Sequence, residues 1–417
     1  MDVFVIKGSK PLRGKVRISG SKNAVLPIMA ATLLTSDISE IDNVPNLRDV
    51  HTMTKLLTRL GASIDFSKNR LTIDTRRVRT FEAPYELVRT MRASVLVMGP
   101  LLARFRKARV SLPGGCAIGA RPIDIHLKGF AALGADIKLD GGYVDIRGRH
   151  SPKRSVRLPF PSVGATENLM MYAAALPHKT VLRNAAREPE ITDLANFLAS
   201  AGASVRGAGS DTIEIVGSRK LKGSRHSVIP DRIEAGTFAV AAAMTLGDLA
   251  LTHARADHLE SVLDKLEEAG ARVDRNADEI RVSANRRTRP ITLTTMPYPG
   301  FPTDMQAQFM AMMAVGDGTG VITETVFENR FLHAAELTRM GADISLEGRV
   351  AVVKGVRRLK GAPVTASDLR ASAALVLAGL VAEGKSEVRR VYHIDRGYES
   401  MEVKLRSVGA DIIRKAE

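Results

Sequence analysis

A glycine-alanine pair recurs six times along the chain, at Gly61, Gly134, Gly202, Gly270, Gly341 and Gly409, with spacings of 68–73 residues. Similarity at a fixed period marks a chain built from one supersecondary unit used repeatedly. An amphipathic stretch such as Asp264-Lys265-Leu266-Glu267-Glu268-Ala269 precedes each pair. The glycine suits the left-handed residue that closes a helix, so each pair predicts a helix stop. An apolar-polar alternation follows. In the second copy it runs Ala135-Asp136-Ile137-Lys138-Leu139, turns at Asp140-Gly141-Gly142, and resumes at Tyr143-Val144-Asp145-Ile146. That pattern predicts a β-hairpin, and it returns at Ala62–Asp74, Ala203–Val216, Ala271–Val282 and Ala342–Val353.

The sixth copy stops after Ala410-Asp411-Ile412-Ile413, one strand short of a hairpin. The alternating run Asp2-Val3-Phe4-Val5-Ile6 has no partner before it and would leave an exposed edge. The two ends of the chain are therefore expected to pair. Closure of that kind predicts one discontinuous domain, residues 1–21 plus 230–417, and a second, 22–229, that carries the loop around Cys116. A cleft between two such similar domains is the expected place for a ligand.

Charge is the compositional feature that needs weighing: 61 Lys and Arg against 45 Asp and Glu give a formal net charge of +16. A nucleic-acid partner is the rival reading of such a balance. The excess, however, is dispersed in short clusters, Arg76-Arg77-Arg79, Arg147-Arg149-Lys153-Arg154, Arg219-Lys220-Lys222, Arg286-Arg287-Arg289 and Arg357-Arg358-Lys360. Most fall just past the second hairpin strand, where solvated junctions between repeats are expected. Trp is absent and aromatics make up 4% of the chain, a poor supply of stacking platforms. No nucleic-acid partner is expected. One cysteine excludes an internal disulfide, and nine scattered histidines show no metal-ligand spacing, so neither metal nor cofactor is expected. The opening residues lack a basic stretch followed by an apolar core, and no apolar run reaches the roughly 18 residues of a membrane span. The expectation is a cytoplasmic protein without a membrane partner, working as a monomer.

Several segments could carry chemistry. Cys116 lies in Leu112-Pro113-Gly114-Gly115-Cys116-Ala117-Ile118-Gly119-Ala120-Arg121-Pro122, a glycine-rich loop with a flanking cation. Such a setting favours a thiolate or an acid-base thiol, although a lone cysteine also serves as a small buried hydrophobe. Ser19-Gly20-Ser21-Lys22-Asn23 precedes the apolar stretch Ala24–Leu34 and could seat an anion at a helix start, or simply cap that helix. Asp304 follows the turn Pro299-Gly300-Phe301-Pro302 and reads as a helix cap or a general base. Glu328-Asn329-Arg330, Ser367-Asp368-Leu369-Arg370 and Ile394-Asp395-Arg396-Gly397 each set an arginine near an acid or amide. Guanidinium groups gathered on one site would suit a ligand bearing phosphate and carboxylate.

Taken together, Ser21-Lys22-Asn23-Ala24, Thr90-Met91-Arg92-Ala93-Ser94, Pro113–Pro122, Pro161-Ser162-Val163-Gly164-Ala165-Thr166, Phe301–Gln306, Thr325–Arg330, Asp368-Leu369-Arg370-Ala371 and His393–Tyr398 occur in the order seen in one family. From end to end the chain resembles the UDP-N-acetylglucosamine 1-carboxyvinyltransferases, members of the enolpyruvyl transferases. The resemblance implies an α/β fold, a two-domain inside-out α/β barrel of six βαβαββ units, three per domain. The implied reaction moves the enolpyruvyl group of phosphoenolpyruvate to the 3-hydroxyl of UDP-N-acetylglucosamine, the first committed step of peptidoglycan synthesis. By the same resemblance, Lys22, Arg121 and Arg396 face the phosphate of phosphoenolpyruvate, and Arg330, Arg370 and Arg396 its carboxylate. Asn23, Arg92, Arg121, Pro122, Ile123, Asp124, Ile125, Phe160, Pro161, Ser162, Val163, Asp304 and Val326 are implied contacts of the UDP-sugar, and Asp368 belongs to the binding set. Cys116 would act as acid, Asp304 as base, and fosfomycin would alkylate the thiol. The shikimate-pathway sister enzyme shares donor and fold but matches poorly at the Cys116 loop. One departure stands out: Pro159 precedes Phe160-Pro161 where an acidic residue is expected, and the strongly basic balance is also atypical of the family.

Overall fold

Each of the six glycines has a positive φ, between 92° and 110°, at the end of a helix. In five repeats the alanine after it donates its N–H to a leucine five residues back: Ala62 to Leu57, Ala203 to Leu198, Ala271 to Leu266, Ala342 to Leu337 and Ala410 to Leu405, at 3.0–3.1 Å. That six-to-one bond is the Schellman closure, in which the residues at its two ends also meet as hydrophobes. All ten of those alanines and leucines are buried, which explains why the repeat is marked by two residues and not by glycine alone.

The computed structural model describes residues 2–8, 10–112, 123–148 and 154–416. Its strands form six four-stranded sheets with one shared plan. In the fifth, Thr292–Thr294 runs parallel to Thr319–Thr323, which pairs antiparallel with Val350–Lys354, which in turn pairs with Asp343–Glu347. The sixth sheet lacks a hairpin partner of its own, and Asp2–Lys7 takes that place, antiparallel to both Lys385–Arg389 and Asp411–Ala416. The two ends of the chain thus share one sheet, as the unpaired alternation at Asp2–Ile6 leads one to expect.

Contacts divide the described chain into two units, one holding residues up to Ser19 and from Pro230 onward, the other running from Gly20 to Ile229. Each unit has its own hydrophobic core. In the unit from Gly20, Arg225–Ser227 pairs parallel to Ile38–Asp42, so the last strand completes the first sheet. In the other unit, Arg13–Arg17 pairs parallel to Asp248–Thr252 and opens the fourth sheet. A strand distant in sequence closes each ring of three repeats.

Two kinds of helix alternate. Arg48–Arg59, Pro189–Ser200 and Glu260–Glu268 are amphipathic and bury one face. Lys22–Ala31, Val163–Ala173, Arg232–Met244, Gln306–Ala314 and Leu369–Val381 are apolar nearly all round and buried, as helices enclosed by protein must be. The apolar helices lie inside in each unit, with the sheets and the amphipathic helices outside them, the arrangement the resemblance implies.

The basic clusters acquire a local explanation. Lys222 N–H bonds to Ala201 O, Arg289 N–H to Ala269 O and Lys360 N–H to Met340 O, at 2.8–2.9 Å. Each acceptor caps the carbonyl end of an outer helix. Cationic residues beside that end complement the helix dipole, worth about 0.3–1 kcal/mol each.

Candidate active site

The residues singled out from the sequence gather at the starts of the inner helices. In the unit from Gly20, Lys22 opens helix Lys22–Ala31, and the Ser21 hydroxyl caps it by accepting the Ala24 N–H at 3.4 Å. Lys22 is nearly buried, and its Nζ lies 3.5 Å from Asp49 Oδ2. Asn23 beside it is half-buried. Ser162 caps Val163–Ala173 in the same way, accepting the Ala165 N–H at 3.4 Å. The caps follow from local chemistry, since a short hydroxyl side chain satisfies an N–H that the first turn leaves orphaned.

Arg92, the segment from Ile123 to Ile125 and helix Val163–Ala173 border one residue that the sequence did not single out, His126. Its ring is buried, and a methyl placed on Gly164 would come within 3.2 Å of its Cε1. Asn168 Nδ2 lies 2.9 Å from His126 Nδ1 and 3.1 Å from Val95 O, while Asn168 Oδ1 accepts the Gly99 N–H at 2.8 Å. Asn168 therefore donates to Nδ1, which leaves the proton of the neutral ring on Nε2. Burial, aided by the Arg92 charge and opposed by Asp124, pulls the pKa down to about 3, so the imidazole is neutral across the physiological range. Ile123 and Ile125 turn into the core, so a ligand at this segment would meet their backbone. Asp124 pairs with Lys128 at 3.0 Å, Phe160 is exposed, and Pro161 is half-buried. Cys116, Arg121 and Pro122 lie outside the described residues.

The other unit holds a denser arrangement. Asp304 sits in the single turn Thr303–Met305 that leads into helix Gln306–Ala314. Its Oδ1 accepts Arg330 Nη2 at 2.6 Å, and its Oδ2 accepts both Nε and Nη2 of Arg370, at 3.2 and 3.1 Å. Arg330 and Arg370 are buried, with side chains 7% and 2% exposed, whereas that of Asp304 is 29% exposed. A partly open carboxylate is thus held by two enclosed guanidinium groups. Asp368 caps helix Leu369–Val381: its Oδ1 accepts Arg370 N–H at 2.8 Å and Ala371 N–H at 3.0 Å, which fixes the backbone that carries Arg370.

Burial opposes the charge on Arg370, but Tyr398, Asp304 and Asp231 outweigh it, and the pKa is raised above its ordinary value. The guanidinium carbon stands 5.3 Å from the centre of the Tyr398 ring. The Tyr398 hydroxyl is tied to Thr237 at 3.0 Å and Gln308 at 3.2 Å, so residues from two further inner helices brace it. Burial also lowers His333, close to Asp368 and Arg330, to about 4. Arg396 ends the helical turns Val391–Arg396, half-buried, and Val326 is half-buried in the loop before Arg330.

Asp49, His126 and Asn168 shape these groups without having been marked by the sequence reading. Thr303 and Tyr398 lie inside marked segments but were given no role of their own, and Asp49, His126 and Asn168 carry no local signal. No group of three or more His, Cys, Asp or Glu suited to a metal occurs among the described residues. No helix of the described chain is long and apolar enough to cross a membrane.

Comparison with known proteins agrees with this architecture. The family model described as EPSP synthase (3-phosphoshikimate 1-carboxyvinyltransferase) matches residues 6–405. The UDP-N-acetylglucosamine 1-carboxyvinyltransferase of Geotalea uraniireducens is 56% identical over 417 residues, all of both chains. The UDP-N-acetylglucosamine 1-carboxyvinyltransferase 1 of Caldanaerobacter subterraneus is 56% identical over 412 residues, 99% of each. Among solved structures, the enolpyruvyl transferase NikO of Streptomyces tendae superposes with a TM-score of 0.89 at 26% identity, covering 100% of this chain and 99% of its own. The EPSP synthase of Acinetobacter baumannii, at 19% identity and a TM-score of 0.77 with full coverage of both chains, shares the fold. The chain belongs to the enolpyruvyl transferases grouped with EPSP synthase and, within them, to the UDP-N-acetylglucosamine 1-carboxyvinyltransferases.

Proposed function

We infer that the chain transfers the enolpyruvyl group of phosphoenolpyruvate to the 3-hydroxyl of UDP-N-acetylglucosamine and releases phosphate. The observation that carries this is 56% identity over the whole length to a relative of that name, which leaves no segment of the chain unaccounted for. Peptidoglycan synthesis in the cytoplasm, and with it cell shape and division, is the setting we propose. The substrates are the two small molecules, and the enzyme works as a monomer without metal or cofactor.

The chemistry needs a proton delivered to C3 of the enol, attack of the sugar oxygen on C2, and removal of the hydroxyl proton. The tetrahedral adduct then loses phosphate and a proton from C3, which restores the double bond. Cys116 is the acid in this reading and Asp304 the base. Lys22, Arg121 and Arg396 stabilise the departing phosphate, while Arg330, Arg370 and Arg396 hold the carboxylate. Asn23, Arg92, Pro122, Ile123, Asp124, Ile125, Phe160, Pro161, Ser162, Val163 and Val326 hold the UDP-sugar, with Asp368 fixing Arg370. The Asp304 contacts support the positioning this assignment needs, because two buried guanidinium groups hold a partly open carboxylate in one orientation. The two proposed domains are residues 1–21 with 230–417, and 22–229.

The family model's name favours one second reading, in which shikimate 3-phosphate is the acceptor. Phosphate release from phosphoenolpyruvate, measured with each acceptor in turn, separates the two. Turnover is expected with UDP-N-acetylglucosamine alone, and turnover only with shikimate 3-phosphate would reverse the conclusion. In the same assay Cys116→Ala should lose at least about two orders of magnitude, the scale of a missing general acid. Full activity in that variant removes Cys116 from the mechanism. Fosfomycin should alkylate the wild-type thiol and spare Cys116→Asp.

A further inference from the structure

Glu324 is an acid with no site role so far, yet it is almost completely buried, at 1% exposure. It follows the inner strand Thr319–Thr323 and precedes the loop that carries Val326 and Arg330. Four donors converge on its carboxylate. Oε1 accepts the Thr295 hydroxyl at 2.8 Å, the Val326 N–H at 2.9 Å and the Phe327 N–H at 3.1 Å. Oε2 accepts the Thr303 hydroxyl at 2.8 Å. A buried carboxylate satisfied by this many neutral donors needs no cation of its own.

The Thr303 bond has a directional consequence. The Thr303 hydroxyl donates to Glu324 Oε2, and a hydroxyl has one proton to give. Its lone pairs are then left for Arg330, whose Nη1 donates to Thr303 Oγ1 at 3.2 Å. The same guanidinium uses Nη2 to reach Asp304 Oδ1 at 2.6 Å. Glu324 thereby sets one hydroxyl, the hydroxyl sets the rotation of Arg330, and Arg330 sets Asp304. In parallel, Oε1 holds the backbone at Val326.

We propose that Glu324 is a positioning residue for the transfer reaction: through Thr303 and Arg330 it aims the Asp304 carboxylate, and through the Val326 N–H it fixes the loop that meets the acceptor sugar. The inference rests on the role assigned to Asp304 above.

Glu324→Gln keeps the size of the side chain but replaces one acceptor oxygen with a donor. Steady-state kinetics of the full chain with both substrates should show kcat reduced about 10- to 100-fold and the KM for UDP-N-acetylglucosamine raised, the scale of a reacting group misplaced by a fraction of an ångström to an ångström. Thr303→Val should reproduce the kcat loss and Thr303→Ser, which keeps the hydroxyl, should restore it. If Glu324→Gln fails to fold, that valine-serine pair carries the test. In an Asp304→Asn background, where the aimed group is already gone, Thr303→Val and Glu324→Gln should lower kcat no further; a purely structural role would lower it again. Wild-type kcat in Thr303→Val, or losses that multiply in that background, would overturn the proposal. An Asp304→Asn enzyme with wild-type kcat would instead overturn the assignment of Asp304 itself.

Discussion

The two units carry their candidate groups in different ways. In the unit that begins at Pro230 and includes the N-terminal strand, Asp304, Arg330 and Arg370 are wired to one another by charged hydrogen bonds of 2.6–3.2 Å. In the unit from Gly20, Lys22 Nζ lies 3.5 Å from Asp49, and a separate network built on His126 and Asn168 is neutral. The contrast teaches that a shared repeat does not impose a shared electrostatic design. One unit spends burial on a fixed array of charge. The other buries, besides its Lys22–Asp49 pair, an uncharged centre at His126 and Asn168.

The largest expected effect follows directly from that difference. Arg370→Ala removes the enclosed partner of a two-point ion pair; Asp304 is partly open and keeps Arg330, so the cost should fall near the lower end of the roughly 3–5 kcal/mol of a broken buried pair. Lys22→Met removes a pair that is longer, 3.5 Å against 2.6–3.2 Å, and should cost less, about 1–2 kcal/mol by the same denaturation measurement, while lowering kcat about 100- to 1000-fold as a lost charge-stabilising donor. Equal stability losses in the two variants would erase the contrast.

A smaller effect, visible only in its pH dependence, sharpens the neutral side of the comparison. Folding lowers the His126 pKa from 6.5 to about 3, so the unfolded chain binds the proton more readily. The stability this provides is complete above about pH 6.5 and declines as the pH falls toward 3. Between pH 7 and pH 5 the wild type should lose about 2 kcal/mol more than His126→Gln, from the roughly 1.4 kcal/mol that each pKa unit is worth. Parallel stability curves for the two proteins would show that the ring is not held neutral by the fold.

The smallest effect probes what the units have in common. At Gly341, φ is +93° and an added methyl would meet nothing within 4 Å. Gly202, at +110°, has only Lys220 O at 3.9 Å from such a methyl. Replacing either with alanine isolates the backbone term, about 1–2 kcal/mol. Similar shifts in melting temperature are expected from both, and a large shift in one alone would show that the repeats are not closed by the same device.

The legibility of the chain divides along similar lines. The helix stops, the hairpins and the pairing of Asp2–Lys7 with Asp411–Ala416 could all be read from alternation, turn residues and the missing strand. Lys22 and Asp304 were legible as residues at helix starts beside capping or turn residues, Arg370 as an arginine set near an acid, and the family resemblance supplied Ser162 and the roles that spacing could not. Glu324 was passed over because an acid between threonines resembles any solvated strand end. His126 looked like one of nine scattered histidines. Neither burial nor a partner is written beside such residues.

The sequence by itself determined the six repeats, because a left-handed glycine, a six-to-one helix closure and a two-residue alternation depend on residues within one turn of each other. Only the tertiary structure decided which charges meet. Arg370 reaches Asp304 across 66 positions of chain, and Thr303 reaches Glu324 across 21. Contacts over such distances exist only after the strands and inner helices have closed their rings, and their strength comes from the water that closure removes.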